Sequence, residues 1–172
     1  MKRLEIFSIP FFELKVDLDR ILIPESKFEP SWESGVPTTH LTQKPIPRST
    51  LEYLTEVVSK PLDTIKDKFL AMRFTQIWRN KYDEHTYQGY HIHPNAQWSF
   101  IIYEDVTSKT AFIHPIMPLI QNHFGDNSKV FPMDYRPNLE PGSMILFPSF
   151  LGHEVLPGNT GTTLSGNIVV EY

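Results

Sequence analysis

From Arg73 to Tyr172 apolar and polar residues alternate in short runs, each cut off by a polar loop or by a turn bearing proline or glycine. A chain written this way is built to fold as short strands. The runs are Arg73 to Asn80, a histidine-bearing stretch from Gly89 to Phe100, Trp98 to Tyr103, Thr110 to Ile113, Ser143 to Phe147, Glu154 to Leu156 and Thr162 to Tyr172. Upstream, residues 3 to 17 alternate across Pro10 and read as one or two further strands. A single stretch has helical spacing instead. Leu51, Leu54, Val58, Leu62, Ile65 and Phe69 form one apolar stripe, opened at Ser49 by the capping box Ser49-Thr50-Leu51-Glu52 and interrupted by Pro61, where a kink or split is expected. One stripe means one buried face, so this helix is expected to lie as support on the outside of a sheet. One helix followed by roughly eight short strands favours an antiparallel sandwich or barrel over a parallel α/β architecture.

Prolines mark the remainder as loop. From Asp17 to Pro47 they recur at Pro24, Pro30, Pro37, Pro45 and Pro47, which predicts mostly surface loop with one short helical turn. Long ordered loops of this kind often border sites. From His114 to Pro141 a second proline-rich insertion is a candidate lid. A length of 172 residues suits one domain. Residues 1–72 are then expected to supply strands, loop and helix packed on a barrel formed by residues 73–172. With no cysteine the chain has no disulfide, no thiolate metal site and no cysteine nucleophile, so any metal must take nitrogen and oxygen ligands. A net charge of −4 and the lack of a clustered basic run argue against a dedicated nucleic-acid surface. Absence of a signal-like start or an apolar run of ~20 residues predicts a soluble cytoplasmic protein without a membrane partner.

Within this strand pattern, His91 and His93 stand two residues apart. On a strand they share one face with Cβ atoms roughly 7 Å apart, close enough for both imidazoles to meet one ion at bonds of about 2.1 Å. Sixty residues later, Phe147-Pro148-Ser149-Phe150-Leu151-Gly152-His153 offers a third nitrogen from another apolar strand. By themselves these residues fit either a metal centre or hydrogen-bonded core histidines.

Trp78-x-Asn80, Gly89, His91-x-His93-Pro94-Asn95 with Ser99 and Tyr103, Pro141-Gly142, Phe147-Pro148-Ser149-x-x-x-His153-x-Val155 and Ser165-x-Asn167 resemble, in order, the 2-oxoglutarate and Fe(II)-dependent oxygenases of bacteria and phages. The resemblance covers roughly residues 73 to 170. It implies a mainly β protein with a double-stranded β-helix, the jelly-roll or cupin-like barrel, supported by one N-terminal helical segment. It also implies Fe(II) held by His91, His93 and His153, with 2-oxoglutarate as co-substrate for the oxidation of a small-molecule or protein substrate. Relatives with this barrel often form homodimers. Two departures stand out. His93 replaces the carboxylate of better-known branches, so the ligand set is neutral, and Glu154 alternates away from His153. The arginine that usually pairs with the far carboxylate of 2-oxoglutarate is also missing from Gly161 to Ser165. Lys109 is the cation expected in its place, with Arg73, Arg79 and Arg136 as weaker candidates. Asn95, Tyr103 and Ser165 are the further co-substrate-site candidates, and Trp98 and Ser99 are candidate pocket neighbours. The same residues leave two other readings open: a cupin-type three-histidine metalloprotein that uses no 2-oxoglutarate, and a non-catalytic phage-type barrel module.

Overall fold

Eleven strands and two helices realise the alternation, and the computed structural model describes residues 8–65, 68–107, 110–125 and 131–172. In chain order they are β1 (Phe12–Lys15), β2 (Glu29–Ser31), β3 (Val36–Thr38), α1 (Arg48–Thr64), β4 (Ala71–Tyr82), β5 (Gln88–His91), β6 (Trp98–Tyr103), β7 (Thr110–Ile113), α2 (Met117–Phe124), β8 (Asp134–Tyr135), β9 (Ser143–Pro148), β10 (His153–Val155) and β11 (Gly161–Glu171). A larger sheet takes the order β1-β9-β6-β11-β4-β3-β2 and a smaller one β5-β10-β7-β8. Every pairing is antiparallel. No helix among the described residues is long and apolar enough to cross a membrane.

Period-two alternation sends each strand of the larger sheet two ways. Trp98, Phe100 and Ile102 of β6, Met144 and Leu146 of β9, and Leu164, Ile168 and Val170 of β11 face α1, where they meet Tyr53, Leu54, Val58 and Leu62. Leu54, Val58 and Leu62 are fully buried, each worth about 1.5–3 kcal/mol of apolar burial. Gly166 makes this contact possible, because a Cβ there would stand 2.4 Å from the Phe100 ring. The intervening residues point between the sheets. There Ile101, Tyr103, Ile145 and Phe147 pack with Phe112 of β7.

The helix lies on the sheet as its stripe predicts, but its ends differ from expectation. It starts at Arg48 with Pro47 as N-cap, and no side chain caps it. The capping-box residues have other partners: Glu52 pairs with Arg48 one turn back at 2.7 Å, and Thr50 exchanges hydrogen bonds with both backbone groups of Leu22, pinning the preceding loop. Pro61 does not split the helix, which runs on to Thr64 with Pro61 buried. A proline this near the C-terminus forfeits one hydrogen bond while its ring still joins the core. The proline-rich stretch before α1 holds, besides a 3-10 turn at Leu18–Arg20, the β2–β3 hairpin at the sheet edge, with Pro30 opposite Pro37. Prolines are tolerated there because an edge strand leaves part of its ladder unpaired.

Candidate metal centre

His91 ends β5, His153 begins β10, and the two are direct cross-strand partners in the smaller sheet. His93 lies beyond the strand rather than on it. Pro94 ends the pairing, and the His93 N–H donates instead to the Ser149 carbonyl at 3.0 Å, fastening it to the connection between β9 and β10. The three rings still converge. Their centroids are 4.2 Å apart for His91–His153, 5.1 Å for His93–His153 and 5.4 Å for His91–His93, and one nitrogen from each lies within 4.8 Å of the others. Phe112 stacks on His153 at 5.5 Å and Phe147 meets it edge-on at 5.0 Å, so its ring is clamped by aromatic neighbours.

Each imidazole has its Nδ1 committed. That of His91 donates to the Gly89 carbonyl at 2.8 Å and that of His153 to the Leu151 carbonyl at 3.1 Å. A carbonyl oxygen only accepts, so both Nδ1 atoms carry the proton and both Nε2 atoms keep a lone pair. The Nδ1–H of His93 donates to Asn167 Oδ1 at 2.6 Å. That same oxygen accepts from Ser99 Oγ at 3.0 Å while Asn167 Nδ2 donates to Gln76 at 3.1 Å; Ser99 is bonded in turn to Ser149 at 2.8 Å. These supports leave His93 Nε2 buried without a hydrogen-bond partner. A buried acceptor left open costs about 1–3 kcal/mol, and a cation shared by three Nε2 atoms removes that cost. The residues fit a divalent ion.

Electrostatics agree with the geometry. Burial pushes His93 down to about 4, helped by His91 and His40 nearby and opposed by its bond to Asn167. Burial likewise lowers His91, and lowers His153 well below the usual histidine range with further repulsion from the other two imidazoles. All three are therefore neutral at pH 7, the form that ligates metal.

The triad opens on a cavity of about 380 Å³ between the sheets. Alternate residues of β4 (Gln76, Trp78, Asn80, Tyr82) and β11 (Thr163, Ser165, Asn167) form its polar wall. Trp78 Nε1, Asn80 Oδ1 and Asn159 Oδ1 are buried in this wall without partners, and such atoms are suited to a polar ligand. Among its described lining residues there is no lysine or arginine. Arg79 points off the opposite face of β4 to pair with Glu104 at 2.8 Å, Arg136 pairs with Asp134 at 2.7 Å, and Arg73 stands 3.9 Å from Glu171. The three weaker arginine candidates are thus held elsewhere.

Of the remaining residues singled out in the sequence, Asn95 and Ser165 line the cavity. Tyr103 is fully buried behind the wall, its hydroxyl donating to the lining residue Thr110 at 2.9 Å. Trp98 faces the helix rather than the cavity, and Ser99 supports Asn167. Lys109 lies outside the described residues. The described residues of the insertion from His114 to Pro141 form α2 and β8, and none of them lines the cavity. The edge of the mouth comes instead from the β2–β3 hairpin through Trp32, Glu33 and the nearby His40. Gln76 was not singled out in the sequence; Asn167 was, in Ser165-x-Asn167, but its bond to His93 was not.

Comparison with known proteins agrees with the geometry. Residues 76–164, more than half of the chain, match the sequence family described as "Putative 2OG-Fe(II) oxygenase". No curated protein matches the chain. Among solved structures, the fold is similar to a viral collagen prolyl hydroxylase from Paramecium Bursaria Chlorella virus-1 in its 2OG complex, with a TM-score of 0.54 at 12% identity, covering 94% of this chain and 96% of that one. It is also similar to an oxidoreductase of the 2OG-Fe(II) oxygenase family from Burkholderia pseudomallei, at 0.50 and 12% with 94% and 73% covered. A prolyl-4-hydroxylase from Pseudomonas putida gives 0.50 and 12% with 78% and 69% covered. The two facing sheets are thus a double-stranded β-helix, and by its sequence match this chain belongs to the 2OG-Fe(II) oxygenase family, enzymes that use Fe(II) and 2-oxoglutarate.

Proposed function

We propose that His91, His93 and His153 hold the Fe(II) through their Nε2 atoms, and that the cavity beside them receives 2-oxoglutarate and the substrate to be oxidised. The observation that carries this reading is the common tautomer: three Nδ1 atoms donate to oxygen acceptors, and three Nε2 lone pairs are left to converge. When bound, the iron and its co-substrate supply O₂-dependent oxidation of a substrate C–H bond, with decarboxylation of 2-oxoglutarate.

The protein's own residues orient, anchor and shield. Asn167 keeps the His93 lone pair aimed inward by taking its Nδ1 proton, a role in which outer partners fix both tautomer and ring angle. Ile101, Val155 and Trp78 supply an apolar wall that excludes water and strengthens polar contacts inside. The Ser165 hydroxyl and the unpaired Trp78 indole N–H are donors for the co-substrate's far carboxylate. Lys109 is the cation for that carboxylate, supported by its place next to Thr110, which lines the cavity. Asn95, at the mouth, contacts the co-substrate or the substrate above it.

Anaerobic titration with Fe(II), then 2-oxoglutarate, tests this through the weak visible charge-transfer band of the chelate. The expected result is a band that saturates with 2-oxoglutarate in wild type, is absent in His153→Ala, and needs more 2-oxoglutarate in Lys109→Ala. Undiminished iron binding by His153→Ala would sink the ligand assignment. A Lys109→Ala titration that overlays wild type would remove that lysine from the site.

A further inference from the structure

The rim of the cavity differs in charge from its wall. Glu33 is the one carboxylate among the described lining residues, and none of them is a lysine or arginine to oppose it. Its carboxylate lies 3.6 Å from where a Cβ on Gly89 would stand, and it acts electrostatically on His91 two residues further along. No described ion pair engages it.

Beside Glu33, Trp32 is 41% exposed and held at a φ of 64°. Trp32 and Asn95 are the two non-glycine residues with positive φ among those described, and both line this cavity. Backbone strain of this kind collects where ligands are held. The Trp32 ring lies 5.6 Å from His40, His40 meets Trp78 edge-on at 4.9 Å, and Trp78 stacks on His93 at 5.8 Å, so an aromatic ladder ties the hairpin tip to the triad. The tip is also tethered across the mouth, where Ser34 Oγ donates to the Tyr87 carbonyl at 2.6 Å and accepts from its N–H at 2.8 Å.

Charge balance gives this rim a sign. Three neutral imidazoles add nothing to a divalent ion, and a dianionic co-substrate cancels it. The Lys109 ammonium proposed for the far carboxylate brings the sum to +1 and Glu33 returns it to zero, so the charge that Glu33 places on the rim is matched by no cation among the described lining residues. An exposed aromatic face beside an unpaired carboxylate is the pairing that holds ammonium and guanidinium groups.

We propose that the primary substrate presents a cationic group, an alkylammonium or a guanidinium, which pairs with Glu33 and is covered by Trp32 while its neighbouring carbons reach into the cavity toward the three imidazoles. This rests on the oxygenase reading above and adds the chemical class of its substrate.

The test uses the full chain loaded with Mn(II) and 2-oxoglutarate. The probes are the N-acetyl methylamides of lysine and arginine, set against their neutral near-isosteres from norleucine and citrulline. Saturation-transfer NMR gives each affinity, and broadening of probe protons by Mn(II) reports closeness to the metal. The cationic probes are expected to bind about fivefold to tenfold tighter than the neutral ones, the range for one exposed ion pair plus one cation–π contact. Glu33→Gln should cut the difference to the roughly threefold share of the Trp32 contact, and Trp32→Leu should weaken the cationic probes alone, about threefold. Equal binding of charged and neutral probes, a preference left undiminished by Glu33→Gln, or no saturation transfer from either cationic probe would overturn the proposal. Mn(II) uptake is measured separately by electron paramagnetic resonance. Uptake unaffected by His153→Ala overturns the metal-site reading, whereas the charge preference is judged from saturation transfer.

Discussion

Replacing Asn167 with alanine is expected to weaken Fe(II) binding tenfold to a hundredfold without touching any nitrogen that faces the metal. The structure sets the size. Asn167 Oδ1 accepts from both His93 Nδ1 and Ser99 Oγ, and its amide nitrogen donates to Gln76. Ser99 can turn to Ser149, to which it is already bonded, so the group left stranded is the His93 Nδ1–H. A buried donor without a partner costs about 1–3 kcal/mol in the metal-free protein. The imidazole can escape that cost by moving its proton to Nε2 or by rotating, and either change removes the lone pair from the triad. Loss of such an outer partner typically costs ten- to a hundredfold in metal affinity. The assay is an anaerobic Fe(II) titration with a competing chelator, paired with urea denaturation of the metal-free protein. Ser99→Ala, which removes one bond to Asn167 but leaves His93 its acceptor, should lose only a few-fold in affinity. Asn167→Ala binding within twofold of wild type, or Ser99→Ala losing as much as Asn167→Ala, would refute the reasoning.

Two further outcomes follow from the same packing. Metal-free protein should lose stability as pH falls through the window from about 6.5 to about 4: the unfolded chain takes up a proton at an ordinary histidine pKa of about 6.5, whereas folded His93 resists until about 4. Protons therefore favour unfolding. His93 alone should cost about 1.4 kcal/mol between pH 7.5 and 5.5 in urea-denaturation experiments, with the other two imidazoles adding in the same direction; a flat profile would contradict the buried neutral triad. Gly166→Ala should destabilise by at least the 1–3 kcal/mol of an overpacked core, because its Cβ would meet the Phe100 ring at 2.4 Å and the Gln76 carbonyl at 2.9 Å. A thermal midpoint equal to wild type would mean that the β6–β11 face is looser than it looks.

What the sequence made legible is what repeats at short range. Alternation located β4, β6, β9 and β11, because each has one face on α1 and the other between the sheets, and it located β7 of the smaller sheet, whose Phe112 packs between the sheets. The three histidines were readable for a related reason: two sit within one short stretch, and the third belongs to a distinctive proline-bearing segment. What stayed hidden depends on long-range pairing. Asn167 supports His93 only because β11 is registered so that Asn167 lies opposite Gln76 on one side and Ser99 on the other, and neither neighbour can be deduced from local pattern. The β2–β3 hairpin was hidden for another reason. Its strands are three residues long and carry facing prolines, so propensity argues for loop where an edge position permits a strand. The described mouth residues Trp32, Glu33 and His40 come from this earlier stretch, whereas the candidate lid was read in the later insertion.

The departures from regular structure converge on the same place, and this favours reading the site as built rather than incidental. Pairing between β5 and β10 shifts register between His153 and Val155, so the residues just before His91 include one more than their partners. Pairing between β4 and β11 shifts where Asn167 faces Gln76 and Ile168 faces Phe74, which leaves Thr75 as the extra residue. Bulges of this kind re-aim neighbouring side chains. Here one lies beside two of the imidazoles and the other beside the residue that anchors the third. The two strained non-glycine residues line the same cavity, and three of its wall atoms and one of its imidazole nitrogens are buried without partners. Each of these features costs stability by itself, and α1 packed on the far face of the larger sheet is where much of the compensating apolar burial is found. The division of labour explains the alternation from Arg73 to Tyr172: the residues facing α1 stabilise, which frees those facing the cavity to be polar, strained and unpaired.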